Sequence, residues 1–200
     1  MVLVFLFLKC IKNGNLENSS CMKQLIFYGP TGKGLPPEKV GGGEKGCQRT
    51  ISLYEKLGVQ VFTIEKPNLG RGKLAFVYYF IITPFLLITA FLKHPNTPVH
   101  ITGFYENQLF YEFVIFMVSR LFRRKVVYEL RNGTMAKTYQ QHSFFYQKAM
   151  QYMLVKSSVV LCQGKEFIDF IKNRWKVNTI YYPNYIMNSF IRPYDEQRMH

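Results

Sequence analysis

The chain has 200 residues, of which 48% are hydrophobic, and a formal net charge of +14. This length is enough for one α/β domain with a buried core, or for one half of a two-domain enzyme. The charge predicts an acidic partner, such as a membrane surface, a phosphorylated ligand or nucleic acid, and gives no information about the fold. The four cysteines lack C-x-x-C or Cys/His ligand spacing, which indicates a reduced, intracellular chain without a metal.

The first 21 residues differ from the rest of the chain. Eight apolar residues (MVLVFLFL) precede the first charge, at Lys9, and a polar, turn-rich stretch follows. The apolar run is short for a signal-peptide core and has no charge before it. We therefore expect residues 1–21 to be a disordered or mis-started leader, residues 22–184 to form the domain, and residues 185–200 to be a linker or tail.

From residue 22 onward, short apolar runs alternate with segments of helical periodicity. The strands are predicted at residues 24–28, 59–64, 99–104, 125–130, 158–162 and 179–182. The helices are predicted at residues 44–57, 107–122, 142–156 and 165–175. Such alternation implies right-handed crossovers between parallel strands. The sequence therefore predicts an α/β fold, a Rossmann-like parallel sheet with helices on both faces.

A glycine-rich stretch lies between the first strand and the first helix. Gly41, Gly43 and Gly46 satisfy the pattern G-x-G-x-x-G, and Glu65 follows at the end of the second strand. In a dinucleotide-binding protein the first glycine lies in the tight turn directly after the strand, whereas here residues 29–40 intervene. A protein that binds a dinucleotide or S-adenosylmethionine through residues 41–46 and Glu65 is thus one alternative.

Residues 74–92 form a run without a charge. As a helix this run would span roughly 28 Å, close to the apolar thickness of a bilayer. Thr83 and Pro84 are typical of a helix start, so we expect two short helices, partly buried and partly on a membrane surface. A spanning helix and a wholly buried segment are the alternatives. The residues predicted to face the membrane are Arg71, Lys73, Phe85, Leu86 and Lys93.

Several short motifs occur in a fixed order along the chain. They are Gly42-Gly43-Glu44 before the first helix, Leu57-Gly58 at its end, Arg131-Asn132-Gly133 after the fourth strand, SVVLC at residues 158–162 and IYYPN at residues 180–184. In this order the sequence resembles the N-terminal domain of GT-B glycosyltransferases of family 4. The resemblance covers residues 22–193.

This resemblance implies an enzyme of the hexosyltransferase type that uses a nucleotide-sugar as donor and no cofactor. The family binds its acceptor, a glycan or a lipid-linked glycan, in this domain and the donor in a second, C-terminal domain. The 200 residues contain no motif of that second domain, so the chain alone is expected to be inactive. The resemblance also implies polysaccharide biosynthesis, with peripheral attachment to the cytoplasmic face of the membrane. The basic residues match no nucleic-acid-binding module, so we expect no nucleic-acid partner.

The resemblance places the site in two loops. The first would approach the donor phosphates and the acceptor, because glycine permits close backbone approach; it comprises Gly41, Gly42, Gly43 and Glu44. The second would line the acceptor side of the cleft; it comprises Tyr105, Glu106, Arg131, Asn132 and Gly133. The sequence assigns no catalytic residue and no metal ligand.

Arg131 departs from the family pattern, which often has a histidine at this point. A guanidinium cannot act as a base at neutral pH, but it can hold a phosphate or a carboxylate bidentately. The alternative for Arg131 is a salt bridge to Glu129 or Glu106. The alternative for Glu44 is a simple acid at the start of a helix, where it suits the helix dipole.

Overall fold

The computed structural model describes residues 23–66, 72–103, 108–131 and 139–183. The predicted leader at residues 1–21 and the predicted tail at residues 185–200 lie outside the described residues. So do five of the predicted site residues, namely Arg71, Tyr105, Glu106, Asn132 and Gly133.

In the described part of the chain, six parallel strands form one sheet in the order β2-β1-β3-β4-β5-β6. Their bounds are β1 Gln24–Gly29, β2 Gln60–Glu65, β3 Val99–Gly103, β4 Val126–Leu130, β5 Val159–Cys162 and β6 Thr179–Tyr181. Each pair of neighbouring strands is parallel. The central strands are mostly apolar and are buried on both faces, as parallel strands usually are. The predicted parallel α/β sheet is confirmed.

Helices connect these strands within the same described ranges. Their bounds are α1 Gly42–Lys56, α2 Lys73–Lys93, α3 Leu109–Leu121, α4 Phe144–Lys156 and α5 Lys165–Trp175. The six predicted strands and the four helices predicted from periodicity are present, because the hydrophobic periodicity that predicted them also buries them. Gly58 follows α1 with φ at 76°, the left-handed conformation expected after a helix end.

The helices cover the two faces of the sheet unevenly. Side chains alternate between the faces along each strand. Leu25 and Phe27 of β1 pack with Cys47 and Tyr54 of α1 on one face. Buried residues of α2, α3, α4 and α5 pack around Ile26 on the other face. Helices therefore lie on both faces, as predicted, although among the described helices α1 stands alone on its face.

The predicted break in the apolar segment is wrong. The helix α2 runs without interruption and has Pro84 inside it. Proline has no N–H, so the carbonyl of Phe80 lacks its usual helical donor. Tyr111 of α3 supplies a donor instead, because its hydroxyl lies 2.8 Å from the Phe80 carbonyl oxygen. The rings of Tyr111 and Phe80 also stack, with their centroids 4.4 Å apart. A tertiary hydrogen bond thus replaces the helical one and keeps α2 continuous.

Candidate functional site

The carboxyl ends of β1, β3 and β4 meet the first turn of α1 at one edge of the sheet. The chain passes from β1 to β2 on one side and then returns to β3 on the other side, so the strand order reverses between β1 and β3. In open α/β sheets, ligands bind outside the carboxyl ends of the strands at such a switch point. This edge is therefore the candidate functional site.

The carboxylate of Glu65, at the end of β2, holds the loop that follows β1. The amides of Thr31 and Gly32 donate to Glu65 Oε1 at 3.0 and 3.2 Å, and the Thr31 hydroxyl donates to Oε2. Gln48 of α1 donates to the Thr31 carbonyl at 2.7 Å. In the dinucleotide alternative, the Glu65 carboxylate would bind a ribose hydroxyl. The carboxylate instead accepts hydrogen bonds from Thr31 and Gly32, which does not favour that role.

Arg131 follows β4 and directs its guanidinium at the first turn of α1. Its Nε and Nη2 donate to the two carboxylate oxygens of Glu129 at 2.8 and 3.0 Å, a bidentate pair. Its Nη1 donates to the Gly43 carbonyl at 3.1 Å. A Cβ on Gly46 would collide with this guanidinium, so a glycine is needed where α1 approaches it. The alternative salt bridge to Glu129 is thus present, and Arg131 links β4 to α1.

Glu129 also binds His100, which extends the network along the buried face of the sheet. His100 Nε2 lies 2.9 Å from Glu129 Oε2, and His100 Nδ1 lies 2.9 Å from the Tyr54 hydroxyl. Because a carboxylate only accepts, His100 Nε2 donates to Glu129. Burial alone raises the pKa of Glu129, but the His100 hydrogen bond and the Arg131 charge bring it below the ordinary 4.5. Glu129 is therefore ionised at neutral pH.

A second buried charge pair lies on the opposite face of the sheet. Lys66, just after β2, donates to the Glu112 carboxylate of α3 and, at 3.2 Å, to the Thr102 carbonyl. Tyr128 donates to the other Glu112 oxygen at 2.6 Å. Burial lowers the pKa of Lys66, and the Glu112 carboxylate partly offsets this shift. A Cβ on Gly103 would collide with the Tyr128 hydroxyl, which explains the glycine at the end of β3.

Apart from the salt bridge between Arg131 and Glu129, the contacts of these two networks were not predicted from the sequence. A signal existed for one of them, because His100 and Glu129 are ionisable residues inside the apolar strands VHITG and VVYEL. A buried ionisable group needs a partner, and adjacent parallel strands can supply one. Lys66 gave no such signal, because it follows its strand directly and its partner Glu112 lies 46 residues away.

The predicted glycine loop forms the start of α1 at this edge. Gly41 is the N-cap and Gly42 the first helical residue. Glu44 is 9% exposed and packs against Gly32 and Gly41, where an added Cβ would come within 3.3 and 3.0 Å of its side chain. A Cβ on Gly42 would meet nothing within 4 Å, so the first turn is open on that side. The amides and the positive end of the helix dipole there suit an anion.

Among the described residues of this edge, the chemistry of the side chains is binding and orientation. The charged side chains described above are engaged with one another or with the backbone, which leaves no acid or base of this network directed at a ligand. Across the ranges that the structure describes, no group of three His, Cys, Asp or Glu side chains could hold a metal ion. The roles of Gly41, Gly42, Gly43, Glu44 and Arg131 toward a ligand stay predictions.

Four of the five residues predicted to face a membrane, namely Lys73, Phe85, Leu86 and Lys93, lie apart from this edge, on α2. Phe85 and Leu86 are 60% and 44% exposed, and Lys73 and Lys93 are exposed as well. Leu86 and Lys93 also line an open groove of about 580 Å³ between α2 and the edge strand β2. The stretch Phe76–Lys93 is long and apolar enough to cross a membrane, with a mean hydropathy of 1.8. The position of these residues relative to a membrane stays a prediction.

No protein-family model matches the chain. No curated protein matches it either. Among solved structures, it is similar to UGT89C1 of Arabidopsis thaliana in complex with UDP-L-rhamnose, with 13% sequence identity and a TM-score of 0.49. The similarity covers 85% of this chain and 54% of that one, so this chain spans about half the length of the structure it matches.

At this level of similarity neither an activity nor a ligand follows, and family 4 is not identified. The class of the fold rests on the strand order and on the placement of the helices. The chain is a Rossmann-like α/β domain.

Proposed function

We propose that the chain is the acceptor-side domain of a glycosyltransferase, which transfers a sugar from a nucleotide-sugar to a glycan or a lipid-linked acceptor. One observation carries the proposal: the first turn of α1, with Gly41, Gly42 and Gly43, opens at the switch point of the sheet. The order of the sequence motifs supports it. In this proposal the enzyme is of the family 4-like, hexosyltransferase type and works with a second, donor-binding domain.

The first turn of α1 supplies backbone amides to the phosphates of the donor or the acceptor. Gly42 has open space where a side chain would stand, so a ligand can approach the backbone there. Arg131 is a positioning residue, because its Nη1 holds the Gly43 carbonyl while Glu129 fixes its fork. The remaining acceptor-side candidates are Tyr105, Glu106, Asn132 and Gly133, which rest on the resemblance.

The proposed location is the cytoplasmic face of a membrane, with peripheral attachment. The polysaccharides that such enzymes build often start on lipid-linked acceptors, so attachment would bring the domain to its substrate. The exposed positions of Phe85 and Leu86, with Lys73 and Lys93 at the two ends of α2, support this location. Arg71 belongs to the same predicted set.

The experiment is a transfer assay on the complete protein in its native membranes, with radiolabelled uridine, guanosine and adenosine diphosphate sugars. We expect transfer to a membrane acceptor from one of these donors. Gly42→Val places a side chain in the space where a ligand phosphate would approach. It should lower transfer about ten-fold or more, since a lost contact to a charged group is worth roughly 1.5–3 kcal/mol.

The matched control is Glu55→Val, an exposed position at the far end of the same helix. It should keep full transfer, and both variants should melt close to the wild type. Equal activity in Gly42→Val and wild type would contradict the proposed role of the turn. Tight binding of a nicotinamide dinucleotide or S-adenosylmethionine, measured by calorimetry, would favour the alternative function instead.

A further inference from the structure

The large apolar side chains that the structure exposes are confined to three helices. All of those in the described ranges lie on α2, α3 or α4. On α2 they are Leu74, Val77, Tyr78, Phe80, Ile81, Phe85, Leu86 and Leu92; on α3 they are Phe110, Val114, Met117 and Leu121; on α4 they are Phe144, Phe145, Tyr152 and Val155. Single exposed apolar residues are ordinary, but a concentration of this kind marks an interaction surface.

The three helices form one continuous layer. The Tyr111 hydroxyl of α3 donates to the Phe80 carbonyl of α2, and the two rings stack. The Tyr152 ring of α4 lies edge-on to Phe113 and Phe116 of α3, with centroids 6.0 and 6.1 Å apart. The exposed apolar residues of the helices therefore belong to one surface, which we call the three-helix surface.

The exposed charges on these helices all have the same sign. They are Lys73, Lys93, Arg120, Lys148 and Lys156. The acidic residue within these helices is Glu112, which is fully buried and paired with Lys66. The helices α1 and α5, by contrast, carry the exposed acids Glu55, Glu166 and Asp169.

We propose that the three-helix surface docks flat on an anionic lipid bilayer, with α2, α3 and α4 all in contact with the headgroup region. Apolar side chains rimmed by lysine and arginine are the pattern of an interfacial surface. Each basic residue close to the membrane adds attraction to anionic lipid. A second copy of the chain is the less suitable occupant, because pairing two such surfaces would bring like charges together.

The topology excludes a spanning orientation for α2 in this fold. The helix connects β2 to β3, and both strands pair with β1 in the same sheet. The exposed apolar residues of α2 are distributed from one end of the helix to the other, from Leu74 to Leu92. Because the topology fixes α2 lengthwise against the sheet, its exposed side meets a bilayer along the helix axis, in the plane of the membrane. The inference extends the proposed peripheral attachment from one helix to three, and it does not depend on sugar transfer.

The test is co-sedimentation of the full 200-residue chain with phosphatidylcholine vesicles, with and without phosphatidylglycerol. We expect binding that requires phosphatidylglycerol and weakens as salt is added. The decisive variants lie on α4, away from the apolar segment recognised in the sequence. Lys148→Glu combined with Lys156→Glu, and separately Phe144→Ser combined with Phe145→Ser, should each lower the partition coefficient about ten-fold or more.

The matched control is Lys45→Glu combined with Lys56→Glu, two exposed lysines on α1 at the opposite face. These should leave vesicle binding within about two-fold of the wild type, since charges far from the bilayer are screened. The lysine variants change exposed residues only, so they report on docking even where the serine variants fold poorly. Circular dichroism checks the fold of each.

Three outcomes would overturn the proposal. In the first, substitutions at Phe85 and Leu86 abolish vesicle binding while the α4 variants bind like the wild type, which would restrict the membrane contact to α2. Binding that resists both high salt and carbonate would indicate a spanning helix. Absence of vesicle binding, with a dimer in analytical ultracentrifugation that Lys148→Glu strengthens, would make a second copy the occupant. The vesicles contain no acceptor and no nucleotide-sugar, so none of these results tests the transferase proposal.

Discussion

Two buried charge networks lie on opposite faces of the same sheet, close to its carboxyl edge. On the α1 face, Glu129 is bound by Arg131 and His100; on the α3 face, Glu112 is bound by Lys66 and by a tyrosine. Both carboxylates are fully buried. Burying an ion pair costs desolvation free energy, which only good geometry and further hydrogen bonds offset. The two networks meet this requirement in different ways.

The difference lies in the cation. Arg131 keeps its charge throughout the accessible pH range, and its planar fork matches both oxygens of Glu129. Lys66 is a point charge whose pKa is lowered by burial, so it can release its proton. The arginine network therefore keeps its cation beside the first turn of α1, whereas the lysine network can lose its cation and leave the Glu112 carboxylate without a counter-ion. The candidate site thus lies beside the network whose cation keeps its charge.

Glu129→Gln should give the largest loss of stability, about 3–5 kcal/mol. The substitution keeps the shape of the side chain but leaves the Arg131 charge buried without a counter-ion, and arginine cannot neutralise itself. Urea denaturation followed by circular dichroism measures the loss. Glu55→Gln, on the exposed surface, should change stability by less than about 0.5 kcal/mol. A Glu129→Gln protein as stable as the wild type would remove the difference between the two networks.

Glu112→Gln should cost less, about 2–3 kcal/mol at neutral pH, because Lys66 can release its proton when its partner is lost. Without Glu112, the pKa of Lys66 in the folded state falls further below its ordinary 10.5. The unfolded chain then binds the proton more readily, so the stability of the variant rises with pH up to that ordinary value. Denaturation at several alkaline pH values should show that the stability deficit of Glu112→Gln shrinks as the pH rises and that the deficit of Glu129→Gln is unchanged. If the stability deficits of the two variants changed with pH in the same way, the distinction between the arginine and lysine networks would be contradicted.

The sheet and its helices could be predicted because each element carries its own periodicity. Strand β1 is a short apolar run, and α1 repeats Cys47, Ile51 and Tyr54 on one face, so local pattern and tertiary burial agree. The uneven covering of the two faces was not predictable in this way. Alternation of strands and helices shows that crossovers exist, but the face on which each helix packs depends on the order of strands in the sheet.

The contacts of the candidate site could be predicted only in part. The bridge from Arg131 to Glu129 joins residues two positions apart, and the sequence offered it as an alternative. The bond from Arg131 to Gly43 joins residues 88 positions apart, and no local pattern indicates it. Pro84 failed as a helix break for the same reason, because the donor that compensates it lies on another helix. Each miss is a long-range hydrogen bond that overrides a local preference.

Tyr111→Phe should have the smallest effect, about 1 kcal/mol, and this value is the reference for a neutral hydrogen bond against which the charged networks are judged. The phenylalanine keeps the ring stacked on Phe80 and removes only the hydroxyl that bonds to the carbonyl there. Tyr78→Phe, at an exposed hydroxyl on α2, is the matched control and should be neutral within about 0.5 kcal/mol.

A double-mutant cycle with Pro84→Ala isolates the reason for that loss. Alanine at position 84 restores a backbone N–H, which can bond to the Phe80 carbonyl along the helix. Tyr111→Phe should therefore cost less in the Pro84→Ala background than in the wild type, measured by urea denaturation at one pH. An equal cost in both backgrounds would mean that the hydroxyl stabilises the interface of α2 and α3 by some other contact. The hydrogen bond from Tyr111 to the Phe80 carbonyl would then give no reference value for the two charged networks.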